Sequence, residues 1–546
     1  MLPRGATEGI SEGAPVRPSP VPVRMQQALV AALLLCFLAL GWVGRDPIQL
    51  ASGDDLTYLS LSRSLESGSY REIFRASAPL HVMYPPAYPA WLVLVRHATD
   101  NRLDLILVSN LFLVALSLLI LFAVARQLAG PWFALSLLLL LVLSHGLLWM
   151  GGSLYSEALF LFLSTAALAA TRMTDRYGQR AAYAAIALAL LAFLTRSAGI
   201  SVVLAVGVWL WSRRKTLELT TYAIASVTVV GGWFAYVALA SSNQTVRSYA
   251  IDLSYRPHKG IVSEVARVWQ NAVIYGTEIL PVELSFPTIP NTLIDNWIWL
   301  GLEIVLLAAS LVILWKTWRA AAAYLPMYAG LLIVWPFSDN RLLDPVIPLT
   351  MLAFLLGAWR LTGRLNSRVR TPTLCILTAL LAFGAVHGDI TRMEHYRHCD
   401  RTNPYTSAGC YDAETRSIVA ASEYIRDRLP SADVVLLWRP SVVHFLTGRA
   451  AESASLMAQV PQGGATRALR DWRVQHVLLT AFTGFEREQL AHRLLESCHD
   501  LWVEARFAPH AILFATSAPP GATSDACSDL AAFVRDNKQA PNLALQ

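Results

Sequence analysis

GWVGRDPIQLASGDDLTYLSLSRSL, residues 41–65, sets two adjacent carboxylates, Asp54 and Asp55, in a polar break just after the first long apolar run. Charge held beside a bilayer is costly unless it has a task, so this break is where the chain points to chemistry. Working outward, the 546 residues are 55% apolar and only 15% Asp, Glu, Lys or Arg. A soluble globular chain carries about a quarter charged residues. Mean hydropathy is +0.44. One soluble core does not account for that surplus, whereas repeated bilayer crossings do.

Apolar runs at 26–44, 102–124, 131–150, 154–171, 181–195, 197–211, 219–240, 297–315, 321–337, 342–360 and 371–387 predict eleven crossings. Several fall short of the roughly 20 residues of a perpendicular span, so 181–211 is expected to be bent, re-entrant or divided elsewhere. The net charge of +6 does not mark a nucleic-acid partner. Its basic residues sit in short breaks: Arg126; Arg172, Arg176 and Arg180; Arg213, Arg214 and Lys215; Lys316 and Arg319; Arg360, Arg364, Arg368 and Arg370. With Arg4, Arg17 and Arg24 they define a cytoplasmic side, leaving 45–101, 241–296 and everything after about 388 outside.

Three regions follow. Residues 1–25, polar and rich in Pro and Gly, read as a disordered cytoplasmic N-terminus. Residues 26–387 form an all-α multi-pass bundle of about eleven helices with outer-face amphipathic loop helices. Residues 388–546 form an outer soluble domain of α/β or α+β type, with strands expected near 433–438, 474–480 and 511–515 and helices around 413–428 and 486–498. Cys36 and Cys375 lie in apolar runs, whereas Cys399, Cys410, Cys498 and Cys527 lie in the tail and permit two disulfides. Three connectivities are open, Cys399 with Cys410 being the nearer pairing, and a reduced tail is a further alternative.

In the first outer loop, Leu56, Leu59 and Leu65 make an apolar helix face. Pro85, Pro86 and Pro89 then enforce a rigid bend after His81. The second outer loop carries Arg256, His258 and Lys259 and resembles a lid over a membrane-facing cavity. No GxGxxG, GxxxxGK[ST] or HExxH occurs.

Several segments, in order, carry a resemblance. Gly53-Asp54-Asp55-Leu56-Thr57-Tyr58-Leu59 resembles the first outer-loop signature of polyprenyl-phosphate-dependent glycosyltransferases of the GT-C superfamily, the group of the protein mannosyltransferases and aminoarabinose transferases. Tyr84-Pro85-Pro86-Ala87-Tyr88-Pro89 is similar to YPPGYP, and Tyr155-Ser156-Glu157-Ala158-Leu159-Phe160 to SEPLF. Thr195-Arg196-Ser197-Ala198-Gly199 stands where relatives have TRPEG and lacks its Pro and Glu. Asn340-Arg341-Leu342-Leu343-Asp344-Pro345-Val346-Ile347-Pro348 resembles RYLLPLLP, and Phe445-Leu446-Thr447-Gly448-Arg449 resembles YLTGR.

The resemblance implies inverting transfer of a sugar from a polyprenyl-phosphate donor to a glycan, lipid or protein acceptor at the outer face of a bacterial inner membrane. It makes Asp54 the general base, with Asp55 positioning or acting as a second acid. Both would equally cap the helix starting near Leu56. Glu157, near His145 in topology, would organise acceptor, sugar or a divalent cation. Arg341, then Arg196, would support the leaving phosphate, with Arg256, His258 and Lys259 adding loop contacts; headgroup anchoring is the plainer role for these cations. Tyr58, His81, Tyr84 and Tyr88 would position substrate. No cofactor is required, and a divalent metal, Mg or Mn, is left open. A lipid or sugar transporter, or an enzyme like O-antigen polymerases and ligases, are the alternatives.

Overall fold

The computed structural model describes residues 22–48, 53–241, 261–284, 293–336, 338–364, 375–386, 390 and 394, then 397–537 except 403, 406, 408, 482–485, 509 and 519–525. Residues 1–21, and with them most of the expected N-terminal segment, lie outside that set. So do Arg256, His258 and Lys259 of the second outer loop.

The apolar runs fold as helices because a helix satisfies its backbone within one segment, as a hydrocarbon surrounding demands. The first half comprises α1 (Val23–Val43), α2 (Asp54–Glu66), α3 (Ala87–Ala98), α4 (Leu103–Ala129), α5 (Pro131–Val142), α6 (His145–Gly151), α7 (Glu157–Tyr177), α8 (Gln179–Thr195), α9 (Ile200–Ser212), α10 (Thr216–Ser226) and α11 (Gly232–Ala240). A π turn, Val227–Gly231, joins the last two. Helices Leu293–Thr317, Arg319–Val334 and Ile347–Leu361 complete most of the bundle. Among the described residues, five helices are long and apolar enough to cross a bilayer, or six if the bent pair α5 and α6 counts as one span. Four further apolar helices are shorter, among them Gln179–Thr195 and Cys375–Val386. The described parts of the eleven expected stretches are largely helical, but length and composition qualify only about half of them as full spans.

Chain breaks follow from residue chemistry. Gly130, at φ 94°, ends α4, and Pro131 opens α5 at the position where a missing N–H is harmless. α5 and α6 diverge by 63° at Leu143 and Ser144. Residues 181–211 divide at Arg196, whose extended backbone (φ −148°, ψ 140°) stops α8 and turns the guanidinium out of helical register.

The bundle core is built around fully buried rings, among them Tyr88, Phe160, Phe193, Tyr324, Tyr328 and Phe354. Polar groups join helices within it. Asn110 Nδ2 of α4 donates to the Tyr88 hydroxyl at 3.1 Å and to the Ser153 carbonyl at 2.8 Å, pinning α3 and the approach to α7.

The tail carries a mixed sheet of β1 (Val435–Leu437), β2 (Glu452–Ser453), β3 (His476–Thr480), β4 (Trp502–Phe507) and β5 (Ala511–Ala515), in the order β2-β1-β3-β5-β4. β1 runs parallel to β2 and β3, while β5 is antiparallel to β3 and β4. Helix Ala413–Arg428 covers it, capped by Asp412, whose carboxylate accepts from Thr415 N at 2.7 Å. Around 486–498 the helix is short, Ala491–Leu495, preceded by a π turn. Disulfides join Cys399 to Cys410 and Cys498 to Cys527. Ile48 and Leu56 of the first outer loop share one apolar cluster with Cys410, Ile418, Val419 and Val442, so loop and tail pack together.

Candidate active site

α2 starts on Gly53, whose left-handed backbone (φ 74°) suits glycine. A side chain there would press on Arg439, the nearest atom being its Cδ at 3.0 Å from a Cβ. This start puts Asp54 and Asp55 in the first helical turn, where the exposed backbone N–H groups favour negative charge. Their surroundings then diverge. Asp55 is 2% exposed, and its Oδ1 accepts from Leu56 N at 2.9 Å. Burial pushes its carboxyl up to about 7. The Asp54 side chain is 31% exposed. Burial also works against its charge, but Arg341, the Tyr84 hydroxyl and Arg439 outweigh that and hold it below the usual carboxylate range.

Asp54 receives two donors. The Tyr84 hydroxyl reaches Oδ1 at 2.7 Å, and Arg341 Nη1 reaches Oδ2 at 2.8 Å. Arg341 turns its Nε to Glu157 Oε1, so one guanidinium bridges two carboxylates. Glu157 opens α7 and is fully buried. Arg196 Nη1 meets the same Oε1 at 2.7 Å and donates to Ser156 Oγ at 3.0 Å. Ser156 Oγ also lies 3.0 Å from the Tyr58 hydroxyl. Arg341 stacks over Tyr155, its Cζ 4.0 Å from the ring centroid. Two arginines thus oppose two carboxylates, and Asp54 is the more open of those acids.

The aromatic residues form the wall behind. Tyr58 packs at 4.7 Å from Tyr84 and edge-on at 5.0 Å from Tyr88. Tyr88 is wholly buried and faces Asn110, so it supports the wall and does not line the opening. His81 is likewise placed behind the site: Tyr84 N donates to its Nε2 at 2.9 Å, and its Nδ1 lies 2.9 Å from Glu72 Oε1. His145 is exposed at the start of α6, and the partners shown for Glu157 are the two arginines and Ser156. Sequence reasoning missed Arg439, which reaches the field of Asp54 and Asp55 from the tail. It also missed Ser156 as the joint between Tyr58 and Arg196.

One described cluster of Cys and His can hold a metal ion: Cys498, His499 and Cys527, whose ligand atoms lie within 4.8 Å of one another. Thiolate and imidazole suit zinc better than magnesium or manganese. The two sulfurs are bonded to each other here, so this set offers thiolates only when reduced.

No protein-family model matches the chain, and no curated protein does. Solved structures do. The chain's helical bundle, with the first loop described above, shares its overall fold with the following proteins. ArnT from Cupriavidus metallidurans in the apo state superposes with a TM-score of 0.56 at 14% identity, over 90% of this chain and 99% of that one. The same protein bound to undecaprenyl phosphate gives 0.54 at 14%, over 90% and 98%. The archaeal oligosaccharyltransferase AglB from Archaeoglobus fulgidus, in complex with an inhibitory peptide and a dolichol-phosphate, gives 0.54 at 11%, over 91% and 75%. At such identities the likeness is one of fold.

Proposed function

We propose that the protein is an integral-membrane glycosyltransferase that moves a sugar from a polyprenyl-phosphate donor to a cell-envelope acceptor, with inversion. The observation that carries this is Asp54, a partly open carboxylate on a loop helix, sharing Arg341 with the buried Glu157. The acceptor hydroxyl oxygen attacks the anomeric carbon while the bond from that carbon to the phosphate oxygen breaks. Asp54 takes the hydroxyl proton, and the departing electron pair goes to the polyprenyl phosphate. Arg341 is placed to meet the new charge. As it turns to the phosphate, its pull on Asp54 weakens, and the carboxylate becomes a better base once donor is bound.

Glu157 and Arg196 hold Arg341 in place, and the tyrosine wall orients the sugar. Arg256, His258 and Lys259 add donor contacts from the second outer loop. Support also comes from undecaprenyl phosphate and dolichol-phosphate bound to proteins of the same fold. The protein belongs in a bacterial inner membrane, its N-terminus cytoplasmic and its tail a periplasmic domain.

The test is purified protein with radiolabelled sugar on polyprenyl phosphate and extracted envelope acceptors. Asp54→Asn should stay monodisperse and lose about 10²- to 10⁴-fold of the transfer rate. A folded Asp54→Asn protein with wild-type turnover rejects the assignment.

A further inference from the structure

Glu283 closes the short helix Leu280–Glu283, and Asp344 opens the turn Asp344–Val346, three residues beyond Arg341. Both are buried, at 8% and 3% exposure. They converge on Gly146 of α6: a Cβ built on that glycine would stand 2.7 Å from Glu283 Oε2 and would also strike Asp344 Oδ1. Glycine here thus lets both carboxylate oxygens close on one point of the α6 backbone, where any side chain would collide with them. Asp344 Oδ1, sealed from solvent, has no hydrogen-bond donor. Asp344 also lies in the fields of Glu283, Glu157 and Asp339. Arg341 is the opposing charge in that field, and its guanidinium is already engaged by Asp54 and Glu157, so buried acids that face other acids, one oxygen unpartnered, call for a further positive partner.

We propose that Glu283 and Asp344 are protein ligands of a hard divalent cation, magnesium or manganese, seated beside Gly146. The chemistry of the donors selects the class: two carboxylate oxygens with no sulfur or imidazole suit Mg²⁺ or Mn²⁺. Magnesium commonly takes one or two carboxylates, keeps several waters, and leaves positions for substrate phosphate. The site's place near Arg341 fits that habit. Its pattern is this chain's own, since Asp344 stands where the resembled RYLLPLLP segment has leucine. Cation binding does not depend on sugar transfer; only the link to donor phosphate rests on the proposed function.

The experiment is Mn²⁺ titration of chelator-stripped, detergent-purified full-length protein, followed by loss of the free-ion electron paramagnetic resonance signal. The wild type should bind one Mn²⁺ per chain, with Mg²⁺ competing. Asp344→Asn and Glu283→Gln should each weaken binding at least tenfold, and Gly146→Ala should do the same by pushing both carboxylate oxygens apart without removing a ligand. Gel filtration and thermal melting report folding, so a variant that does not fold is replaced by the other two. Cys498→Ser/Cys527→Ser should bind Mn²⁺ as the wild type does. The proposal is overturned if the wild type binds no stoichiometric Mn²⁺, if folded Asp344→Asn or Glu283→Gln binds normally, or if the cysteine variant alone loses the ion. Mn²⁺ binding without any transfer of sugar would leave this site standing and remove the transferase reading.

Discussion

Asp54 keeps about a third of its side chain in solvent and faces Arg341, while its neighbour Asp55 is enclosed and accepts from the Leu56 backbone. The difference has opposite consequences with pH. Asp55 is raised, so the folded protein holds its proton up to about pH 7 while the unfolded chain releases it near 3.8. Between those values the folded state binds more protons, and its stability falls as pH rises. Asp55→Asn should flatten that part of a plot of melting temperature against pH; an unchanged slope would mean Asp55 does not titrate there. Asp54 is lowered, so it is ionised throughout the neutral range. Tyr84→Phe removes one donor to that carboxylate and should move the acid limb of kcat/KM to higher pH, with a loss of about 10- to 150-fold in rate, in line with one hydrogen bond to a charged group. A limb that stays in place shows that Tyr84 does not tune the base. The acids, Tyr84 and Arg341 stood out in the sequence because each sits in a short segment that resembles a motif of a known family. Arg439, Ser156 and the pairing of Asp344 with Glu283 did not, since each acquires meaning only when distant segments close on one another.

α2 is held from the membrane side by the tyrosine wall and from the tail by a latch. Ser441 Oγ donates to the Gly53 carbonyl at 3.1 Å. Farther along the first loop, Ala76 N donates to the Ala451 carbonyl and Ala451 N to the Phe74 carbonyl, both at 3.0 Å. Arg75 then lies between Glu72 at 3.0 Å and Glu452 of β2 at 2.5 Å, and Ser77 Oγ donates to Glu452 at 2.8 Å. Glu72 continues through His81 to the backbone of Tyr84, and so to Asp54. Glu452→Gln keeps the shape and removes the charge while Arg75 retains Glu72. It should cost about 1.5–3 kcal/mol, the range for hydrogen bonds to charged groups. The readouts are a lower melting temperature and faster amide exchange across 71–80; protection equal to wild type would exclude the latch. The rigid bend after His81 was readable from the chemistry of Pro85, Pro86 and Pro89. Arg75 and Glu452 are 377 residues apart in sequence, and no local pattern marks them as partners.

Across the whole molecule, two sets of arginines sort to two ends of the helices. At the ends of α7 and α9, Arg172 donates to the Thr317 carbonyl, Arg213 meets Asp175 at 2.6 Å, and Arg319 donates to the Ser212 carbonyl. Arg196 and Arg341 gather instead at the start of α7 with Asp54 and Glu157. α7 runs from Glu157 to Tyr177, so one helix separates the two groups by about 30 Å, its length at 1.5 Å per residue. That separation is what positive-inside sorting produces when the first group is cytoplasmic. The packing of the tail against Gly53 and Phe74 then requires that tail and first loop share the opposite side. Single cysteines introduced into a Cys-free background test this. Ala76→Cys and Ser431→Cys, both at exposed positions, should react with a membrane-impermeant maleimide once the outer membrane is opened. Gln179→Cys, exposed at the start of α8, should react only after the inner membrane is breached. Labelling of Gln179→Cys in intact spheroplasts, with Ala76→Cys and Ser431→Cys protected, would invert the protein. Asp54 would then face the cytoplasm, where a water-soluble nucleotide sugar is available and a polyprenyl-phosphate donor has no evident advantage.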